Sequence, residues 1–157
     1  SGKFPLSGLR TDMVSLLQEM YGSRFGVFGN GWTNSRWLKQ EEEAAVYRNC
    51  KIAINLSHFD LKRYSSDRLF RILGCGAFCL SHHFQEIDQE FETAKHLVYW
   101  TDLKQLVSVI DAFLTPENEE LRTWIASEGN QLCESKYTWK HRIETQLLPM
   151  ILNEKLD

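Results

Sequence analysis

Between Lys62 and Arg71 the segment KRYSSDRLFR carries four basic side chains, Lys62, Arg63, Arg68 and Arg71, against the one carboxylate of Asp67. The whole chain has a net charge of −3, so this positive cluster departs from its surroundings. Ser65, Ser66 or Asp67 can cap a helix that starts here, and a helix start presents unpaired N–H groups with partial positive charge. Arg68 and Arg71 are three residues apart and share a face of that helix. Hydroxyls, N–H groups and guanidinium forks in one place suit a diphosphate. Asp67 opposes an anion while serving well as a cap. An ordinary surface helix with solvated arginines accounts for the same residues.

Gly29-Asn30-Gly31-Trp32 is a second candidate. A glycine turn at a strand end lets the backbone approach a ligand closely, and Trp32 offers a ring on which a base can stack. The plain alternative is a turn with Trp32 in the core. Cys75, Cys79, His82 and His83 raise the question of zinc, but their spacing matches no standard site. Cys75 falls at a helix end and Cys79 inside a strand, so the two thiols need not converge. No metal is expected. No Ser-His-Asp or Cys-His arrangement and no P-loop lysine motif stands out.

The elements that must position these residues follow from periodicity. Met13, Leu16, Leu17 and Met20 mark one buried helical face, with Thr11 as a possible cap. Arg24 to Phe28 reads as a short strand stopped by glycine. Gln40 to Arg48 reads as a polar helix leading into Lys51-Ile-Ala-Ile-Asn-Leu56, apolar on both faces like a strand inside a parallel sheet. Ser66 to Leu73 is a helix ended at Gly74, Ala77 to Ser81 a strand, Glu86 to Phe91 a turn or short helix, and His96 to Tyr99 a strand. Leu103, Leu106, Val107, Ile110, Phe113 and Leu114 keep one apolar helical face behind Thr101. Residues 116 to about 135 and 138 to about 152 read as two closing helices, the second capped by Thr138.

Strands separated by helices require crossovers, and right-handed crossovers build a parallel sheet with helices on both faces. The predicted fold is therefore α/β, a Rossmann-like three-layer domain with Ile52–Leu56 and Ala77–Ser81 as neighbouring parallel strands. Ligands of such sheets bind beyond the carboxyl ends of the strands. Three loops qualify: Gly29 to Trp32, Ser57 to Ser66, and Ser81 to Gln85.

With 157 residues, the chain is long enough for one domain with a sizeable core and too short for two ordinary ones. Hydrophobic residues make up 43% and charged residues 25%, as in globular rather than disordered chains. The overall charge gives no reason to expect nucleic acid as a partner. No apolar run is long enough to span a bilayer and no signal peptide opens the chain. Cys50, Cys75, Cys79 and Cys133 lie in helix or strand segments rather than short disulfide loops, and a cytoplasmic setting with reduced thiols is the expectation.

At these residues the chain resembles the C-terminal, donor-binding half of GT-B glycosyltransferases, and most of all the CgeB-like spore-maturation group. The likeness runs from Val46-Tyr47-Arg48-Asn49-Cys50-Lys51 through Ile54-Asn55-Leu56 to Ser66-Asp67-Arg68-Leu69-Phe70. It continues through Leu73-Gly74-Cys75-Gly76-Ala77-Phe78 to His141-Arg142, with Asp102 to Leu106 and Tyr137-Thr138-Trp139 between. The resemblance implies a nucleotide-diphosphate sugar at the strand ends, and an acceptor held by an N-terminal domain of the same longer chain. It implies no further cofactor. Many members place two glutamates eight residues apart ahead of the Cys-Gly pair, the second holding the ribose. Those positions are Arg63 and Arg71 here, and arginine cannot accept from a hydroxyl.

The expected donor site therefore comprises Arg68 for the diphosphate, Ser65 and Ser66 at the helix start, and Arg71 nearby. Ser57 opens the same loop, and Asn30, Gly31 and Trp32 are assigned to the base. Cys75 and Gly76 form the Cys-Gly turn. A general base is expected on the partner domain. A non-catalytic Rossmann-like module that binds a nucleotide or a protein partner is the alternative, favoured by the two arginines at glutamate positions.

Overall fold

The computed structural model describes residues 6–32 and 35–152. Three parallel strands, β1 (Ala53–Asn55), β2 (Cys79–His82) and β3 (Val98–Trp100), lie in the order β1-β2-β3. The register pairs Asn55 with Ser81 and His82 with Trp100. Helices α1 (Ser7–Tyr21), α2 (Gln40–Asn49), α3 (Asp67–Gly74), α4 (Leu103–Leu114) and α5 (Glu119–Lys136) surround the sheet. A last helical stretch comprises α6 (Trp139–Arg142), a π turn (Ile143–Leu147) and α7 (Leu148–Ile151).

Strand side chains alternate between faces, and two apolar clusters result. Leu80 and Trp100 pack with Met13, Val14 and Leu17 of α1 and Leu106 and Ile110 of α4. Ala53 and Cys79 face the other way, against Leu69, Ile72 and Leu73 of α3, with Tyr47 of α2 at the margin. Helix α5 serves both, through Ile125 and Ala126 on one side and Cys133 on the other. These are the three expected layers.

Several local expectations shift. Helix α1 starts at Ser7, and Thr11 lies inside it, its hydroxyl returned to Ser7 O at 3.1 Å. The helix before Thr115 is capped by Asp102, which accepts from Gln105 N–H at 2.8 Å, while Gln105 Oε1 reaches back to Thr101 N–H at 2.8 Å. Thr138 caps α6 as expected, accepting from His141 N–H at 3.1 Å. The strand expected at Arg24 to Phe28 does not form. A 3-10 turn covers Gly22–Arg24, and Phe28 makes only an isolated bridge to Arg36. That segment finds no partner strand among the described residues, and without a ladder an extended run is not a strand. β1, expected in the interior, is an edge among the described residues.

Candidate donor site at the strand ends

The carboxyl end of β1 is built around a buried polar row. Asn55 and Ser81 are register neighbours on the face toward α3, and Asn55 Nδ2 donates to Ser81 Oγ at 3.0 Å. Ser81 Oγ in turn donates to His82 O at 3.2 Å, and Ser66 Oγ to Asn55 Oδ1 at 3.5 Å. Ser66 is the N-cap residue of α3 by backbone geometry, yet its hydroxyl makes no capping bond. It ties the helix start to the strand end instead. The first N–H groups of α3 are thus left without a side-chain acceptor, in the condition in which a helix start attracts an anion.

Arg68 projects from that first turn, and its Nη1 donates to Leu56 O at 3.3 Å. Arg10, in the first turn of α1, reaches the same place from the other layer, with Nη2 donating to Leu56 O at 2.9 Å and to Ser57 O at 3.3 Å. Burial, and then the charge of Arg68, push the Arg10 guanidinium below its usual pKa. Neither arginine takes part in an ion pair among the described residues. Ser57 is buried beside them, and its Oγ has no hydrogen-bond partner among the described residues. Two guanidinium groups, an unused hydroxyl and free helix N–H groups make a place that favours negative charge.

The other basic residues of the segment are compensated. Lys62 pairs with Glu86 at 2.7 Å, Arg63 with Glu90 at 3.0 Å, and Arg71 with Glu43 at 2.5 Å and Asp67 at 3.0 Å. Asp67, which would repel an anion, is itself held by Arg71. Of the four positive charges between Lys62 and Arg71, Arg68 alone lacks a carboxylate among the described residues.

The remaining candidate residues do not gather here. Ser65 donates to Ser66 O and lines a separate cleft of about 210 Å³ with Arg63, Phe70, Glu90 and Arg142. That cleft is smaller than the roughly 300–1,000 Å³ of ordinary ligand pockets. Cys75 caps the far end of α3 and Gly76, at φ 72°, makes the left-handed turn into β2. Both therefore lie toward the amino ends of the strands, opposite Arg68. Asn30 and Gly31 are exposed, and Trp32 packs against the α1 side of the core. Ser35 Oγ closes the loop by donating to Gly29 O and Trp32 O.

His82 stands at the end of β2, its ring edge-on to Trp100 at 4.7 Å. Burial, opposed by Asp60, lowers its pKa below the ordinary value of 6.5. Cys79 is buried in the core and burial pushes its thiol far up, so it is not a ready ligand or nucleophile. Among the described residues no group of three or more His, Cys, Asp or Glu side chains gathers as a metal site would need. No helix among them is long and apolar enough to cross a membrane.

The fold has counterparts. HepE of Anabaena, solved in complex with UDP-glucose, superposes with a TM-score of 0.65 at 9% identity, over 94% of this chain and 38% of that one. Sucrose-phosphate synthase of Thermosynechococcus elongatus superposes with a TM-score of 0.64 at 12% identity, over 93% of this chain and 35% of that one. The fold is that of GT-B glycosyltransferases, and the chain spans little more than a third of the length of these proteins. No curated protein matches it in sequence. The family model described as glycosyl transferase-like matches residues 10–147, from the first site arginine to the last helical stretch. The chain belongs to the glycosyl transferase-like family.

Proposed function

We propose that this chain is the donor-binding half of a two-domain glycosyltransferase, within the CgeB-like group, and that it holds a nucleotide-diphosphate sugar at the carboxyl end of β1. The observation that carries this reading is the convergence of Arg10 and Arg68 on Leu56 O, with no carboxylate paired to either among the described residues. HepE, of similar fold, was solved with UDP-glucose, and a diphosphate of that kind suits the pair.

In glycosyl transfer the sugar–phosphate bond breaks, the anomeric carbon gains oxocarbenium character, and charge grows on the departing diphosphate. Donors fixed in advance at that charge lower the barrier. Arg10, Arg68 and the first N–H groups of α3 are so placed, and Ser57 Oγ has a proton to offer. On this reading the diphosphate needs no metal to balance its charge. The acceptor and the general base belong to the other domain of the longer protein. The exposed apolar side chains of the last helical stretch, Trp139, Ile143, Leu147 and Ile151, offer that domain a surface.

One observation favours a non-catalytic nucleotide- or protein-binding module instead. Arg63 and Arg71 replace the expected glutamates, and both are tied up by Glu90 and Glu43. Incubating a nucleotide sugar with the longer protein and with the 157-residue chain separates the readings. The donor-half reading expects release of nucleoside diphosphate by the longer protein only. Turnover by the 157-residue chain would contradict a donor half, and turnover by neither, with binding intact, would favour the non-catalytic module.

A further inference from the structure

A histidine stands next to the arginine pair. His58 follows Ser57 directly and is exposed just past the carboxyl end of β1. Arg10 Nη1 lies 3.4 Å from His58 Nδ1. Arginine has donors only, so Nδ1 is the acceptor, and the proton of the neutral ring then sits on Nε2. Among the described residues no hydrogen bond engages Nε2.

The ring is held in place from several sides. His58 O accepts from Leu6 N–H at 2.9 Å, which ties down its backbone. The imidazole stands edge-on to Phe59, with 5.4 Å between centroids, and Phe59 packs at 5.9 Å on Tyr64. Arg10 spans three successive residues, through Nη2 to Leu56 O and Ser57 O and through Nη1 to His58. Arg10 therefore sets the tautomer, and His58 presents an oriented N–H on the side of its ring away from the guanidinium.

We infer that His58 Nε2–H is a further donor of the arginine site and makes it select a diphosphate over a monophosphate. This rests on the reading that the end of β1 holds a diphosphate. One phosphoryl group sits against Arg10, Arg68 and the start of α3, and the second extends past Arg10 to Nε2–H. Arg10 and Arg68 already repel each other. A neutral N–H adds a hydrogen bond to the ligand without adding a third charge to that repulsion. A single phosphoryl group seated on the arginines leaves Nε2–H unused.

The test uses inorganic pyrophosphate and inorganic phosphate, which carry no base or sugar to bind elsewhere. Each is titrated into the isotopically labelled chain and into its His58→Ala variant, with affinity read from NMR shifts of the amides at the start of α3. His58→Ala should weaken pyrophosphate at least about tenfold, as loss of a hydrogen bond to a charged group does. Phosphate affinity should stay nearly unchanged. Equal losses for both anions would overturn the inference, because His58 would then only brace Arg10. Unchanged affinity for both would overturn it while leaving the diphosphate reading intact. Binding of neither anion to the unsubstituted chain would remove both together. Ring nitrogen–proton NMR spectra of the unliganded chain give a check without substitution. The His58 proton should sit on Nε2, and a proton on Nδ1 would overturn the inference, since Arg10 would not orient the ring.

Discussion

Arg10 and Arg68 donate to one carbonyl oxygen, Leu56 O, at 2.9 and 3.3 Å, from helices on opposite faces of the sheet. Leu56 O has lone pairs for both, but the two like charges repel, and no carboxylate pairs with either among the described residues. Such a pair contributes little to the fold. Arg68→Ala should therefore shift the melting temperature little, and Arg10→Ala likewise. A large fall in a thermal melt of either variant would make that arginine structural.

The Asn55–Ser81 bond is different, because it is buried on both sides. Asn55→Ala removes the donor to Ser81 Oγ, which keeps its bond to His82 O, and releases Ser66 from the strand end. A lost hydrogen bond costs about 0.5–1.5 kcal/mol net, and the fold should lose about that much. Urea unfolding reads it, and an unchanged midpoint would count against the polar row.

Gly129 sits inside α5, where alanine is normally the better helix former by about 1 kcal/mol. Here a Cβ would come 2.2 Å from His96 O and 3.0 Å from Leu73 Cδ2. Crowding against backbone should win, so Gly129→Ala is expected to destabilise by about 1–3 kcal/mol. A stabilised variant in denaturant unfolding would show that α5 can move off the His96 turn.

His82 has a lowered pKa in the fold, chiefly through burial. The unfolded chain then takes up its proton at higher pH than the folded one, so stability is full above the ordinary value of 6.5 and is lost as pH falls below it. Melting temperatures measured downward from neutrality should fall, and His82→Gln should flatten the fall. An identical pH profile in the variant would remove His82 as a source.

Much of the frame was legible because local pattern and tertiary role agree. The apolar run from Ile52 marked β1, the run from Ala77 marked β2, and the stripe from Leu103 to Leu114 marked α4. Thr138 gave the last cap. The site was only partly legible. Arg68 stood out by charge, but that Lys62, Arg63 and Arg71 are neutralised depends on Glu86, Glu90 and Glu43, which the fold brings in from elsewhere. Arg10 gave no sequence signal, since a single arginine near a helix start is ordinary and its partner Leu56 is 46 residues away. The Arg24–Phe28 strand failed for a related reason: strand formation needs a neighbour, and the described residues do not provide one.

The central claim is that the end of β1 holds a diphosphate, and calorimetric titration of the 157-residue chain tests it most directly. Nucleoside diphosphates and the parent nucleosides are titrated into the chain, the Arg68→Ala variant and the Arg10→Ala variant. One half of a two-domain site should bind a nucleoside diphosphate weakly, and Arg68→Ala should weaken it by roughly 1.5–3 kcal/mol, the range for a charged hydrogen bond. Every 1.4 kcal/mol is about tenfold in affinity, so the loss is easily read. Arg10→Ala should act in the same direction, and any affinity for the nucleoside alone should not change. Diphosphate binding that survives both substitutions unchanged would contradict the account.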